Sequence, residues 1–202
     1  MASPNRAIFL DRDGTINEEM GYINHVDRFT LLPRTAEAIR LINTNGLKAV
    51  VVTNQSGVAR GMFPESLVGE VHRKMEDLLR VAGAYVDGIY YCPHHPDFGP
   101  PEYRKPCHCR KPATGMIERA CSELNLDPTR SYMVGDRISD VEFGHKIGAK
   151  GILVLTGYGK GEVAYRNGQW QKDPDFIARD LYDAVRWVIA QEGSKEGGEA
   201  SW

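Results

Sequence analysis

The stretch AIFLDRDGTIN, residues 7–17, sets an unbroken apolar run directly against two carboxylates. Ala7, Ile8, Phe9 and Leu10 do not alternate with polar residues, the pattern expected of a strand buried on both faces. Such strands belong to parallel sheets with helices packed on either side. Ligands of those sheets bind beyond the carboxyl ends of the strands, which is where Asp11 and Asp13 stand. The stretch therefore predicts both a fold and a place for chemistry.

The rest of the chain repeats the pattern. Short apolar runs recur at 49–52, 89–91, 132–134 and 152–155, and helical periodicities lie between them. One helix is expected over 34–45, closed by Gly46. Another starts near Pro64 and carries a stripe of Leu67, Val71, Met75, Leu78, Leu79 and Ala82. Met116, Ile117, Ala120, Cys121 and Leu124 mark a third, residues 141–148 a less regular fourth, and Ile177, Leu181, Ala184, Val185 and Val188 a last one. The expected fold is α/β: a Rossmann-like three-layer sandwich around a mostly parallel sheet, one domain over residues 1–192. Residues 193–202 are polar and glycine-rich and read as a disordered tail.

Composition narrows the function. The 202 residues carry a formal net charge of −2, which supplies no basic field for nucleic acid or an anionic membrane. The apolar runs are too short to span a bilayer. The residues before Ala7 are too few for a signal-peptide core, so a cytoplasmic protein is expected. Nothing points to a partner chain, and a monomer is the expectation.

Four of the five expected strands are followed by reactive residues. Asp11 and Asp13, two apart, leave the first strand on the same side. One carboxylate can attack phosphorus, a second can move the proton, and together they attract a hard cation. Asp and Gly also make ordinary turns, so this stretch alone does not decide. Thr53-Asn54-Gln55-Ser56-Gly57 follows the second strand with hydroxyl, amide and backbone N–H groups suited to phosphate oxygens; alone it reads as a polar loop. Gly135-Asp136-Arg137-Ile138-Ser139-Asp140 follows the fourth, and there Ser139 or Asp140 could instead cap a helix.

The third strand leads into CPHHPDFGPPEYRKPCHC, residues 92–109. Three of the four cysteines fall in it. Cys92, His94, Cys107 and Cys109 form a complete tetrahedral donor set for zinc, although one-residue spacings are tighter than usual. His95 and His108 are spare imidazoles, expected to be exposed, and Cys121 is a core residue of its helix. Arg110 and Lys111 follow at once, and such a pair suits phosphate.

Taken in order, Asp11-x-Asp13-Gly14-Thr15, Thr53, Lys111 and Gly135-Asp136-x-x-x-Asp140 resemble the four motifs of the haloacid dehalogenase superfamily of phosphohydrolases, over about residues 7–155. The intervals are too short for a large cap domain, so the chain is similar to the capless branch. Within that branch FLDRDGTIN, VVTNQSGVARG, GIYYCPHHP, CHCRKP and SYMVGD are similar to enzymes acting on a bisphosphorylated sugar. Histidinol-phosphate phosphatases share the first motif and the cysteine loop, and differ after TNQ.

The resemblance implies an aspartyl-phosphate mechanism on a small-molecule sugar bisphosphate. Asp11 would be the nucleophile and Asp13 the acid and base, with Thr53 and Lys111 stabilising the phosphoryl oxygens. Mg²⁺ would be held by Asp11, the Asp13 backbone carbonyl and Asp136, with Asp140 one step further out, orienting a water or Lys111. Zn²⁺ would be structural on Cys92, His94, Cys107 and Cys109. Arg110 would meet the phosphate that stays. Asn54, Gln55, Ser56, Glu19, Met20, Gly21, Tyr22, Arg60 and Arg137 are the further candidates for substrate contact.

Overall fold

Ile8 and Leu10 enter one apolar layer, and Ala7 and Phe9 enter the other. That split explains why the first run has no polar alternation: both of its faces are interior. The structure is a computed structural model that describes residues 3–166 and 168–196. Its six strands are β1 (Ala7–Leu10), β2 (Lys48–Asn54), β3 (Gly88–Cys92), β4 (Tyr132–Gly135), β5 (Lys150–Val154) and β6 (Phe176–Ala178). They form one sheet in the order β3-β2-β1-β4-β5-β6, with every neighbouring pair parallel.

Helices α1 (Thr35–Thr44), α2 (Glu65–Val81) and α6 (Leu181–Glu196) bury Ile39, Ile42, Val71, Met75, Leu79 and Val185 against one face. Helices α3 (Gly115–Leu124) and α4 (Ile138–Lys146) bury Met116, Ile117, Ala120 and Phe143 against the other. The three expected layers are therefore present, and no large cap interrupts them. The chain runs outward in opposite directions from β1 and β4, which pair directly. A crevice opens at such a reversal, beyond the strand ends.

Four details depart from expectation. Ile177 lies in β6, not in the last helix, which begins at Leu181. A helix α5 (Gly159–Arg166) follows β5. Helix α4 starts at Ile138, and neither Ser139 nor Asp140 caps it, because the cap position falls on Arg137, which makes no side-chain cap bond. Residues 193–196 continue α6, and residues 197–202 lie outside the described residues.

Candidate active site

The strand ends deliver their polar residues to one point. Asp11 follows β1, and its N–H donates to Val134 O of β4 at 2.9 Å. Asp136 and Asp140 follow β4, and with Asp11 they bring carboxylate oxygens within 4.8 Å of one another. Lys111 reaches into this cluster, with Nζ 2.6 Å from both Asp11 Oδ1 and Asp140 Oδ1. Asp136 is packed between two glycines. A Cβ at Gly14 or Gly157 would lie 2.2 or 2.1 Å from Asp136 Oδ2, and both residues have positive φ. No other residue type fits there without moving the carboxylate.

Electrostatics separate the carboxylates. Burial pushes Asp11 up to about 7; Lys111 opposes this and Asp140 adds to it. Burial, then repulsion from Asp11, pushes Asp136 up to about 8. Burial disfavours the Lys111 cation too, but Asp11 and Asp140 more than offset it and raise its pKa. Asp13 behaves differently. Burial would raise it, yet Arg12, Asn17 and Gln55 together hold it below the usual carboxylate range. Arg12 Nη2 is 3.0 Å from both Asp13 oxygens, Asn17 Nδ2 is 3.0 Å from Oδ1, and Gln55 Nε2 is 2.8 Å from Oδ2.

Asn54 places the lysine. Its side-chain amide donates to Lys111 O at 3.1 Å and accepts from Lys111 N at 3.0 Å. Both ends of that amide are thereby used on backbone, whereas Gln55 Nε2 donates to two side chains, Asp13 Oδ2 at 2.8 Å and Thr53 Oγ1 at 3.0 Å. Gln55 is buried behind the cleft, not on its wall.

The cleft has a volume of about 540 Å³. Asp11, Asp13, Thr53, Asn54 and Lys111 form its floor, with Glu19, Gly21, Tyr22, Ser56, Arg60, Arg110 and Arg137 around them. Met20 is the exception in its segment: it is 38% exposed and lines nothing, because the chain turns at Gly21, where φ is +72°. Three guanidinium groups face the cleft, and each rests on a neutral support. Arg110 Nη1 donates to His94 O at 3.2 Å, Arg60 Nη2 lies 3.0 Å from His95 Nε2, and Arg137 stacks 3.9 Å over Tyr158. Among the described residues, none of the three forms an ion pair with a carboxylate. Tyr158, Pro112 and Ser139 also line the cleft and were missed by sequence reasoning. The signal for Tyr158 was its place just after the fifth strand, in Gly157-Tyr158-Gly159.

The cysteine loop closes on itself beside this cleft. Cys92 Sγ, His94 Nδ1, Cys107 Sγ and Cys109 Sγ lie within 4.8 Å of one another. His94 Nδ1 is 3.6 Å from Cys92 Sγ and 3.4 Å from Cys109 Sγ. A tetrahedral zinc with ordinary bond lengths would set such edges at about 3.6 Å. Cys107 and Cys109 are closer, at 2.6 Å. Three thiols and one imidazole fit a soft or borderline metal, while the three-carboxylate cluster fits a hard one. Of the spare imidazoles, His108 is exposed as expected. His95 is not: it is buried, and burial followed by the Arg60 and Arg110 charges lowers its pKa. Arg60 and Phe98 cover it. Cys121 packs at the edge of the core under α3.

Comparison with known proteins agrees with this geometry. A HAD-hydrolase-like family model matches residues 108–184. The chain is 40% identical to a D-glycero-beta-D-manno-heptose-1,7-bisphosphate 7-phosphatase of Haemophilus ducreyi, over 91% of this chain and 98% of the relative. It is 46% identical to the enzyme of the same name from Yersinia pestis, over 92% and 96%. A crystal structure of D,D-heptose 1,7-bisphosphate phosphatase from B. bronchiseptica, complexed with magnesium and phosphate, superposes with a TM-score of 0.81 at 30% identity, covering 92% of this chain and 99% of that one.

Proposed function

The chain belongs to the D-glycero-D-manno-heptose-1,7-bisphosphate 7-phosphatase family of haloacid dehalogenase-like hydrolases, and from that membership we propose that it hydrolyses the C7 phosphate of this bisphosphate to leave the 1-phosphate. The observation that carries the reading is Lys111 bridging Asp11 and Asp140 on the floor of a cleft walled by three arginines without acidic partners. A floor of this kind processes one phosphate. The walls hold charge to spare for another.

Asp11 attacks phosphorus in line, the bond from phosphorus to the C7 oxygen breaks, and an aspartyl phosphate forms. Asp13 gives the departing oxygen its proton; since Arg12, Asn17 and Gln55 favour its ionised form, it takes up that proton as the negatively charged phosphate enters beside it. It then takes a proton from the water that attacks phosphorus and frees Asp11. Thr53 and Lys111 donate to the phosphoryl oxygens; preorganised donors of this kind are each worth about 10²–10³ in rate. Asp11, the Asp13 backbone carbonyl and Asp136 would hold Mg²⁺, which supplies positive charge between nucleophile and phosphate. Arg110 takes the phosphate that stays, and Arg60, Arg137, Glu19 and Tyr22 face the sugar and its charges. Zn²⁺ on Cys92, His94, Cys107 and Cys109 would be structural, since four protein ligands leave it no open position. The product keeps its anomeric phosphate, the group that nucleotide activation of the heptose requires. The proposal includes a cytoplasmic monomer. Cysteines gathered as metal ligands suit a reducing compartment.

The test is kcat/KM for Mg²⁺-dependent phosphate release from both anomers of heptose 1,7-bisphosphate and from histidinol phosphate. A preference of about 100-fold, roughly 3 kcal/mol, for a bisphosphate anomer is expected. A preference for histidinol phosphate would overturn the sugar reading and leave the fold untouched.

A further inference from the structure

His94 and His95 are adjacent, and each holds one arginine of the cleft. His94 does so through its carbonyl, which accepts from Arg110 Nη1. His95 does so through its ring, 3.0 Å from Arg60 Nη2. The Arg60 guanidinium also stacks 4.1 Å over Phe98, and the His95 and Phe98 rings meet at 4.8 Å. Behind them Gly99, with φ +101°, sits so close to Ala59 that a Cβ would lie 2.3 Å from the Ala59 carbonyl oxygen. The tip of the cysteine loop is thus fitted against residues 59–60 at three points.

We infer that His95 is a positioning residue which, with Phe98, sets Arg60 beside Arg110 so that the two guanidinium groups receive the phosphate that is not cleaved. The inference rests on the bisphosphate reading above. Two cations match one phosphate dianion. A neutral imidazole suits the task because it orients a guanidinium without cancelling its charge, as a carboxylate in that place would. The hold is also light. A neutral ring carries one lone pair, so it accepts either from Arg60 at Nε2 or from the Asp97 N–H at Nδ1, 3.1 Å away, and not from both at once. Arg60 Nε is buried and has no hydrogen-bond partner, so it reports on the seating of the guanidinium without itself being tied down. The turn is independently braced. His95 N donates to Tyr103 O, Lys105 N donates to His95 O, and Tyr103 OH donates to Glu65 of α2 at 2.7 Å.

The experiment compares His95→Phe, which keeps a ring against Phe98 but removes the acceptor, with His95→Gln, which restores one. For heptose 1,7-bisphosphate, His95→Phe should raise KM about five- to tenfold with kcat within about twofold, the pattern of lost ground-state binding. For heptose 7-phosphate KM should not move. His95→Gln should recover most of the loss, and Phe98→Ala should give the same split at smaller size. Added to Arg60→Ala, His95→Phe should cost nothing further. Equal effects on the two substrates, or effects that add to Arg60→Ala, overturn the inference. If the wild type shows no preference for bisphosphate over monophosphate, the proposed function is what fails. The contact is then judged by the Arg60 Nε–H signal in a ¹H–¹⁵N spectrum, assigned with Arg60→Lys. A signal unchanged in His95→Phe overturns the inference whatever the substrate, and a shifted one sustains the contact.

Discussion

Two clusters of candidate metal ligands, the carboxylates Asp11, Asp136 and Asp140 and the set Cys92, His94, Cys107 and Cys109, each gather their ligand atoms within 4.8 Å and are held together by different means. The carboxylates hang from the ends of β1 and β4, which pair with each other, and Lys111 already neutralises part of their charge. The thiols and imidazole hang from the last residue of β3 and from a loop with few apolar residues. One cluster is organised by the sheet before any ion arrives. The other, on our proposal, would be organised by the metal it holds. Lys111 connects the two: it lies two residues beyond Cys109 in the chain and 2.6 Å from both Asp11 and Asp140.

The largest expected effect follows on the sheet-held side. Asp11→Asn should lower phosphate release by on the order of 10⁴ or more, as loss of a nucleophile does, and leave the fold intact because it removes charge from a crowded buried cluster. Loss of cooperative unfolding in that variant would break the comparison. Cys107→Ser should act oppositely. We expect loss of bound metal, a fall in Tm on the order of 10 °C, and reduced kcat/KM through misplaced Arg110 and Lys111. Metal-free protein with full activity would show that the loop organises itself.

The carboxylates also give a pH signature that sharpens the contrast. Asp11 and Asp136 have folded values of about 7 and about 8, raised from 3.8. The folded state therefore binds these protons more tightly than the unfolded one. Without a cation, their contribution to stability falls as pH rises from the unfolded value through the folded ones. Mg²⁺ prefers the ionised forms, so it should raise Tm more at about pH 8.5 than at about pH 6. An equal rise at both values would mean that these carboxylates do not meet the ion.

How far the sequence could be read follows from the same contrast. Asp11, Thr53, Lys111 and Asp136 were legible because each follows a run of residues whose burial is written in its composition. The thiolate set was legible because few other arrangements concentrate three cysteines in 18 residues. β6 was not, since it is three residues long and Ile177 falls in phase with the stripe of the helix after it. His95 was not either. Spacing does not show that His95, next to the histidine that faces the cysteines, turns inward under Arg60. Asn54 and Gln55 were named for substrate contact because amide groups beside a phosphate site suit its oxygens. The folded chain adds that their amides also bond to Lys111 and Asp13, with Asn54 still lining the cleft and Gln55 behind it.

The smallest expected effect tests whether the cleft has a third support of this neutral kind. Tyr158 sits where the chain leaves β5, and its backbone N–H donates to Asp136 Oδ2 at 2.8 Å. Its ring lies under Arg137. The backbone bond survives any substitution, so replacement isolates the ring. A cation over an exposed ring is worth about 0.5–1 kcal/mol, which corresponds to about a two- to fivefold rise in KM. Tyr158→Ala should show that rise with kcat unchanged, and Tyr158→Phe, which keeps the aromatic face, should behave as the wild type does. A loss in Tyr158→Phe equal to that in Tyr158→Ala would assign the effect to the hydroxyl. Arg137 would then owe its place to its own position at the start of α4, and the arginines of the cleft would be held in two ways instead of one.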